Sequence, residues 1–287
     1  MLDSRIHAST LRYAVFGESL PHTWSPQIHN SLFRLADLDA VYFPVTVPSE
    51  EIGSAVDVFR SCFAGFNVTI PYKEKIIPYL DEVDDAVRAC GAVNTVENRQ
   101  GRLIGHITDG LGMLRAIEEG GVSTEKANAL VLGGGGAARV AAYEFLVRGG
   151  QVTLAVRNLK KGNMLANELA DTQADGMARI GICLLDQIHD AHDILINCTP
   201  VGMYPHVHAS PVSEDVVSKC GAVFDAVYNP RETLLLHMAR KHGICCIEGL
   251  GMLFYQAVEA QKIWLGEENI ASPAQQKAVY EALLNRM

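Results

Sequence analysis

Ala129-Leu-Val-Leu-Gly-Gly-Gly-Gly-Ala-Ala-Arg-Val140 is the stretch on which the reading of this chain turns. Ala129–Leu132 is a short apolar run that reads as a strand and enters four glycines. An Ala-rich segment, Ala137–Val147, follows and reads as a helix; Gly149–Gly150 end it, and Val152–Val156 reads as a second strand. Strand, glycine turn, helix and strand within about 30 residues make a βαβ unit, which implies a parallel sheet and a right-handed crossover. Inside that unit Gly133, Gly135 and Ala138 match G-x-G-x-x-A. In this setting the glycines permit a tight turn and close approach of backbone to a pyrophosphate. The helix N-terminus adds free N–H groups and a favourable dipole. Gly133, Gly135, Gly136, Ala137 and Ala138 are therefore the candidate dinucleotide cradle.

The end of the second strand selects the dinucleotide. An NAD site has an Asp or Glu about 20 residues past the glycines, bonded to the ribose hydroxyls. Here Val156 is followed by Arg157 and Asn158, then Lys160 and Lys161, with no acid before Glu168. A guanidinium and an ammonium at that place suit the dianionic 2′-phosphate of NADP. Arg157, Asn158 and Lys161 are the candidate contacts, and a solvated basic loop is the plainer reading of the same residues.

Outward from this unit, apolar runs and helix-like stretches alternate over the whole chain, so the expected fold class is α/β. Tyr13–Gly17, Val41–Val47 and Phe66–Ile70 read as strands, and Ser25–Leu35 as a helix with Ser25 as N-cap and Pro26 at the first helical position. Ala92–Glu97 and Leu103–Ile107 form a hairpin-like pair around Asn98–Gly101. Asp109–Glu119 reads as helix, and further strands are expected at Ile180–Leu184, Ile194–Asn197, Ala222–Ala226 and Cys245–Ile247. Leu253–Arg286 reads as two helices parted near Gly266–Pro273. Domain boundaries are placed near residues 108 and 250.

At 287 residues two domains are expected. Its 48% hydrophobic and 20% charged composition argues against disorder. A formal net charge of -9 disfavours nucleic acid and anionic membrane as general partners. The seven cysteines form no C-x-x-C pair, which speaks against a disulfide framework or zinc site and fits a reducing cytoplasm; Cys245 and Cys246 are expected to be small buried side chains. Met1–Arg12 has no basic region leading into an apolar stretch, and no apolar run reaches membrane-spanning length. Ten scattered histidines, His22 and His29 among them, lack ligand spacing and are expected to be structural, so no metal is expected.

Eight patterns, in order and with the glycine turn among them, resemble the shikimate dehydrogenase family from end to end. They are Gly17-Glu-Ser-Leu-Pro-His-Thr-Trp-Ser-Pro-Gln-Ile-His-Asn30, Asn67-Val-Thr-Ile-Pro-Tyr-Lys-Glu74, Gly91-Ala-Val-Asn-Thr95 and Thr108-Asp-Gly110. The glycine turn Gly133–Arg139, Asn197-Cys-Thr-Pro-Val-Gly-Met203, Asp225-Ala-Val-Tyr-Asn-Pro230 and Gly249-Leu-Gly-Met-Leu-Phe-Tyr-Gln256 complete the series. The resemblance implies an N-terminal α/β substrate domain, residues 1–108 completed by helices within 251–287, facing a Rossmann-like doubly wound NADP domain, 109–250, across a cleft. It implies reversible oxidation of shikimate to 3-dehydroshikimate, in aromatic amino-acid biosynthesis, by a cytoplasmic monomer or homodimer. By position, Thr23 and Ser25 match the hydroxyls that hold the substrate carboxylate, and Thr69, Asn94, Tyr228 and Gln256 match further substrate contacts. Lys73 and Asp109 match the catalytic pair, while Thr199 and Gly249 match the nicotinamide-side wall.

The chemistry asks for these residue types. Oxidising a secondary alcohol removes a hydroxyl proton as hydride leaves carbon, and a Lys hydrogen-bonded to an Asp suits that task. A polyhydroxylated carboxylate needs convergent Ser, Thr, Asn and Gln groups, because each unpaired buried hydroxyl is costly. Taken singly, Lys73 reads as a surface residue, Asp109 as a helix cap and Asn94 as a turn residue; their joint order favours the site. Two departures stand out: Thr23 where the family commonly has Ser, and Ile107 where it has an amide within Gly105-His-Ile-Thr-Asp109. A quinate or quinate/shikimate dehydrogenase, with NAD as a further option, and a catalytically silent metabolite sensor are the alternatives.

Overall fold

The computed structural model describes residues 6–21, 23–172 and 175–286. Its backbone divides into two compact units, one running to Thr108 and resuming at Gln256, the other spanning Asp109–Tyr255.

The first unit opens with β1 (Leu11–Gly17), α1 (Ser25–Leu35) and β2 (Ala40–Thr46), followed by α2 (Ile52–Cys62) and β3 (Gly65–Val68). β4 (Glu82–Val83), α3 (Asp85–Cys90), β5 (Thr95–Arg99) and β6 (Arg102–His106) complete its sheet, in the order β2-β1-β3-β5-β6-β4. β2, β1 and β3 run parallel, whereas β5 is antiparallel to both β3 and β6. The reversal is made by Gln100 and Gly101, both at positive φ (54° and 93°), flanked by the pair Arg99↔Arg102. That is the backbone of a two-residue hairpin whose twist matches its strands. Asn98 secures it by accepting the Gly101 N–H at 2.7 Å.

Two local expectations need correction. Ser25 is not the N-cap of α1: Trp24 holds that place at φ −92°, ψ −7°, with no side-chain cap, because its backbone is already helical and its carbonyl takes the Ile28 N–H at 3.0 Å. β3 ends at Val68 rather than Ile70, since Thr69 turns out of the sheet and its carbonyl accepts the Tyr72 N–H at 2.9 Å. α1 buries Ile28, His29, Leu32 and Phe33 on one face, the stripe expected of an amphipathic helix.

The second unit begins with α4 (Asp109–Glu119), β7 (Asn128–Leu132), α5 (Gly136–Val147), β8 (Gln151–Val156), α6 (Leu159–Ala170) and β9 (Ile180–Leu184). β10 (His192–Asn197), α7 (Glu214–Ser218), β11 (Cys220–Asp225), α8 (Leu234–Lys241) and β12 (Cys245–Glu248) follow. Its six strands are all parallel, in the order β12-β11-β10-β7-β8-β9. The order reverses between β7 and β10, which is where open α/β sheets bind ligands, beyond the C-terminal strand ends. Strands covered on both faces must be apolar throughout, and Leu130, Leu132, Leu195 and Val223 are fully buried in the core. Each such side chain contributes roughly 1.5–3 kcal/mol relative to exposure.

α9 (Gly249–Leu265) and α10 (Pro273–Leu284) end the chain. Gln256 onward rejoins the first unit, where Trp264 stacks on Tyr13 at 4.7 Å and donates its indole N–H to Val96 O at 3.0 Å. Ser272 and Gln275 form a reciprocal capping box that starts α10. Cys245 and Cys246, expected to be buried, are half-buried, because the short edge strand β12 leaves one side open.

Candidate active site

At the switch point of the parallel sheet, β7 runs into Gly133, which sits at φ +114°. A Cβ there would lie 3.3 Å from Thr199 Cγ2 and 3.6 Å from Cys198 O, so a side chain at Gly133 would crowd the turn after β10. Gly135 is the N-cap of α5 and provides no side-chain cap. Around Gly135 and Gly136 a Cβ would meet nothing within 4 Å. Packing therefore does not explain these glycines, whereas a ligand brought against the backbone does. The uncapped helix start leaves its first N–H groups for an anion, and the cradle fits a pyrophosphate. Ala138 is fully buried, and Ala137 is exposed.

Beyond β8, Arg157, Lys160 and Lys161 are exposed. Their charged ends have no hydrogen-bond or ion-pair partner among the described residues, unlike Arg139, which pairs with Glu168. Asn158 has a structural task that the sequence did not reveal. It caps α6, its side-chain oxygen accepting the Lys161 N–H at 3.1 Å, so only its amide N–H groups remain for a phosphate.

The far side of the switch point is built by Asn197. Its side-chain oxygen accepts both the N–H (3.0 Å) and the hydroxyl (2.7 Å) of Thr199. Tyr228 stands on the loop after β11, 37% exposed. Gly249 is explained first by packing: a Cβ there would lie 2.6 Å from the carbonyl oxygens of Asp225 and Ala226, so glycine lets the start of α9 settle on the end of β11. Asp109 is the first residue of α4 and half-buried. Next to it Gly110 admits Glu144 of α5, whose Cγ would be 2.5 Å from any added Cβ.

The remaining candidates lie in the first unit. Thr23 and Ser25 flank Trp24, and the Thr23 hydroxyl lies 3.3 Å from both the Ser25 hydroxyl and the Ser25 N–H. Thr69 packs at the end of β1, where a Cβ on Gly17 would meet its methyl at 2.7 Å. Lys73 follows one turn later, half-buried, its carbonyl accepting the Val93 N–H at 2.8 Å. Asn94 is no simple turn residue: it is buried, donates to Thr108 Oγ1 at 3.0 Å and Gln256 Oε1 at 3.4 Å, and accepts the Thr108 N–H at 2.7 Å. The structure thus brings Asn94 and Gln256 into contact although 162 residues separate them.

Joined to Asn94 is a hydrogen-bonded layer that sequence reasoning missed. Tyr42 donates to Asn67 at 2.7 Å, and Asn67 donates to Asn94 O and Thr95 Oγ1, each at 3.0 Å. Asn30 fixes the strand carrying Tyr42 through its backbone, accepting the Tyr42 N–H at 2.9 Å and donating to Tyr42 O at 2.7 Å. The signal was present in Asn67, a polar residue between Phe66 and Val68 in a buried strand, which implies buried partners. His29 is fully buried, stacked on Tyr42 at 4.1 Å, and burial pushes it down to about 3, which makes it a neutral structural ring. His22 lies outside the described residues.

Among the described residues no group of three or more His, Cys, Asp or Glu is placed to hold a metal ion, and no helix is long and apolar enough to cross a membrane. Residues 15–96 match the family model described as the shikimate dehydrogenase substrate binding domain. A shikimate dehydrogenase (NADP(+)) of Methanocaldococcus jannaschii is 38% identical over 266 residues, covering 92% of this chain and 94% of the relative. A crystal structure of a shikimate dehydrogenase in complex with NADP+ superposes with a TM-score of 0.88 at 36% identity, covering 97% of each chain. The Listeria monocytogenes shikimate 5-dehydrogenase, solved with shikimate and NAD, gives a TM-score of 0.88 at 29% identity, covering 97% of this chain and 98% of that one. Its ordered motifs, its α/β architecture and this near full-length similarity show that the chain belongs to the shikimate dehydrogenase family.

Proposed function

We propose that this chain reversibly oxidises shikimate to 3-dehydroshikimate with NADP. The observation that carries the reading is the open glycine cradle at an uncapped helix, followed by Arg157 and Lys161 without partners among the described residues, in a chain 38% identical to an NADP-dependent shikimate dehydrogenase. NADP, when bound, would supply the hydride acceptor. Gly133, Gly135, Gly136, Ala137 and Ala138 hold its pyrophosphate, Arg157, Asn158 and Lys161 its 2′-phosphate, and Thr199 and Gly249 wall its nicotinamide end.

In this reading Thr23 and Ser25 anchor the shikimate carboxylate, and Thr69, Asn94, Tyr228 and Gln256 meet the ring hydroxyls. The hydrogen bonds within the Asn94–Gln256 cluster orient two amides before substrate arrives, which lowers the ordering cost of binding. Lys73 takes or relays the proton of the reacting hydroxyl, and Asp109 shares that task. The test is an assay of NADPH or NADH absorbance at 340 nm, crossing shikimate and quinate with NADP and NAD. The highest kcat/KM is expected for shikimate with NADP. A higher value for quinate, or for NAD, would replace that assignment, and binding of both ligands without turnover would make the protein a sensor.

A further inference from the structure

Asp225, the last residue of β11, is fully buried and belongs to none of the roles above. Its carboxylate has three donors. Asn197 Nδ2 (2.9 Å) and the Val227 N–H (3.0 Å) reach Oδ1, and the Thr233 hydroxyl (2.6 Å) reaches Oδ2. Each donor governs a different stretch of backbone at the C-terminal edge of the sheet. Asn197 holds Thr199 by two hydrogen bonds. Val227 immediately precedes Tyr228. Thr233 caps α8 by accepting the Leu236 N–H at 3.3 Å, and its Cβ lies 3.5 Å from where a Cβ would stand on Gly202, in the loop after Thr199.

Only an ionised carboxylate accepts all three hydrogen bonds without offering a donor in return. An asparagine in its place keeps one oxygen for Asn197 and Val227 but turns an N–H₂ toward Thr233. The Thr233 hydroxyl proton, on a residue that is 1% exposed, then loses its acceptor. We propose that Asp225 is a positioning residue, and that this one buried carboxylate sets both the loop carrying Thr199 and the loop carrying Tyr228. The nicotinamide wall and a substrate contact are then held in a single arrangement. The inference rests on the roles proposed above for Thr199 and Tyr228.

Burial pushes the Asp225 carboxyl up to about 6 against the three hydrogen bonds that favour its ionised form. The groups facing it are the Asn197 amide, the Thr233 hydroxyl, the Val227 N–H and the Cys198 thiol, itself pushed up to about 12 by burial and then by the Asp225 charge. Protonation turns one oxygen into a donor and breaks the arrangement within an assayable pH range.

The test uses the full chain with Asp225→Asn, Thr233→Val and, as the conservative variant, Thr233→Ser. Folded Asp225→Asn and Thr233→Val should lose about tenfold in kcat and bind NADP about tenfold more weakly, the scale of one buried hydrogen bond to a charged group. Binding of 2′,5′-ADP, which lacks the nicotinamide half, should stay within about twofold, and Thr233→Ser should restore both parameters. An acid limb of kcat near pH 6 should be present in the wild type and missing from Asp225→Asn. Lowered melting temperatures with unchanged kcat, unchanged NADP to 2′,5′-ADP affinity ratio and an unchanged pH profile would reduce Asp225 to a structural stitch and overturn the proposal. If Asp225→Asn does not fold, Thr233→Val decides by the same readouts. A wild-type chain that binds NADP without oxidising shikimate would sink the functional reading alone, and the affinity ratio would still decide for Asp225.

Discussion

Gly135→Ala and Gly133→Ala separate what the glycine turn does for the fold from what it does for the cofactor. Gly135 has φ −98° and ψ −172°, backbone that any residue adopts, and a Cβ there meets nothing within 4 Å. The variant loses only the N-cap preference of Gly over Ala, about 1 kcal/mol at most, or about 2–4 °C in melting temperature. The added methyl nevertheless stands where a pyrophosphate must approach the first N–H groups of α5. Losing one charge-assisted hydrogen bond costs about 1.5–3 kcal/mol, so NADP should bind about ten- to hundredfold more weakly. Gly133 is the opposite case. Its φ of +114° strains any other residue, and the Cβ would press on Thr199 Cγ2 at 3.3 Å. Such strain is worth about 1–3 kcal/mol, and the melting temperature of the ligand-free protein should fall by several degrees. Scanning fluorimetry without ligand and titration of NADPH fluorescence read the two effects. A Gly135→Ala protein that binds NADP like the wild type, or that melts as low as Gly133→Ala, would refute the division of labour.

Three further outcomes are expected. Arg157→Ala should weaken NADP about ten- to hundredfold while leaving NAD nearly unchanged, since only NADP carries the 2′-phosphate; equal losses in a paired binding titration would return Arg157 to the role of a solvated loop residue. Lys73→Ala and Asp109→Asn should each lower kcat by about 10²–10⁴ at saturating substrate and cofactor, with the double variant far less than multiplicatively worse. Near-wild-type rates in both would place the proton transfer elsewhere. For Asp225, the folded state holds the proton up to about pH 6 against an ordinary 3.8, so its contribution favours folding below about pH 4 and is lost as pH rises toward 6. The stability gap between Asp225→Asn and wild type should thus change by about 3 kcal/mol across that window, read by urea denaturation; a pH-independent gap would show that the carboxyl does not titrate there.

The parallel sheet was the more legible half of the chain. Asp109–Glu119 and Ile180–Leu184 have the bounds read from the sequence, and β7, α5 and β8 differ by single residues at their starts. Strands buried on both faces and punctuated by glycine leave few other readings. α2, α6 and α8 were not legible, each for a local reason. α2 starts without a side-chain cap. α6 is capped by Asn158, whose neighbours Arg157 and Lys161 drew the reading toward phosphate binding. α8 is capped by Thr233, which sits in a turn-like run after Asn229–Pro230. Among the candidate residues, the bare identities came from ordered motifs; Asn67 and Asp225 stand in the same motifs, but their supporting contacts were not legible there. The pairs Tyr42–Asn67, Asn67–Thr95 and Asn197–Asp225 span 25 to 28 residues, and no local spacing encodes them.

The departure at Ile107 shows why a motif position is weaker evidence than the contact it stands for. The family has an amide at this position, in the loop ahead of Asp109. In this chain Ile107 is 3% exposed and packs as an apolar side chain, while a brace is supplied from β5's approach by Asn94. Asn94 takes the Thr108 N–H at 2.7 Å and bonds the Thr108 hydroxyl at 3.0 Å, which fixes the residue immediately before Asp109. Thr95 Oγ1 adds a third contact to that hydroxyl at 3.1 Å. Two hydroxyls and an amide, all buried and mutually satisfied, specify one geometry more firmly than a single amide would. Replacement of the amide by Ile107 therefore removes a polar group whose work is already done, and the loop that presents Asp109 keeps its support.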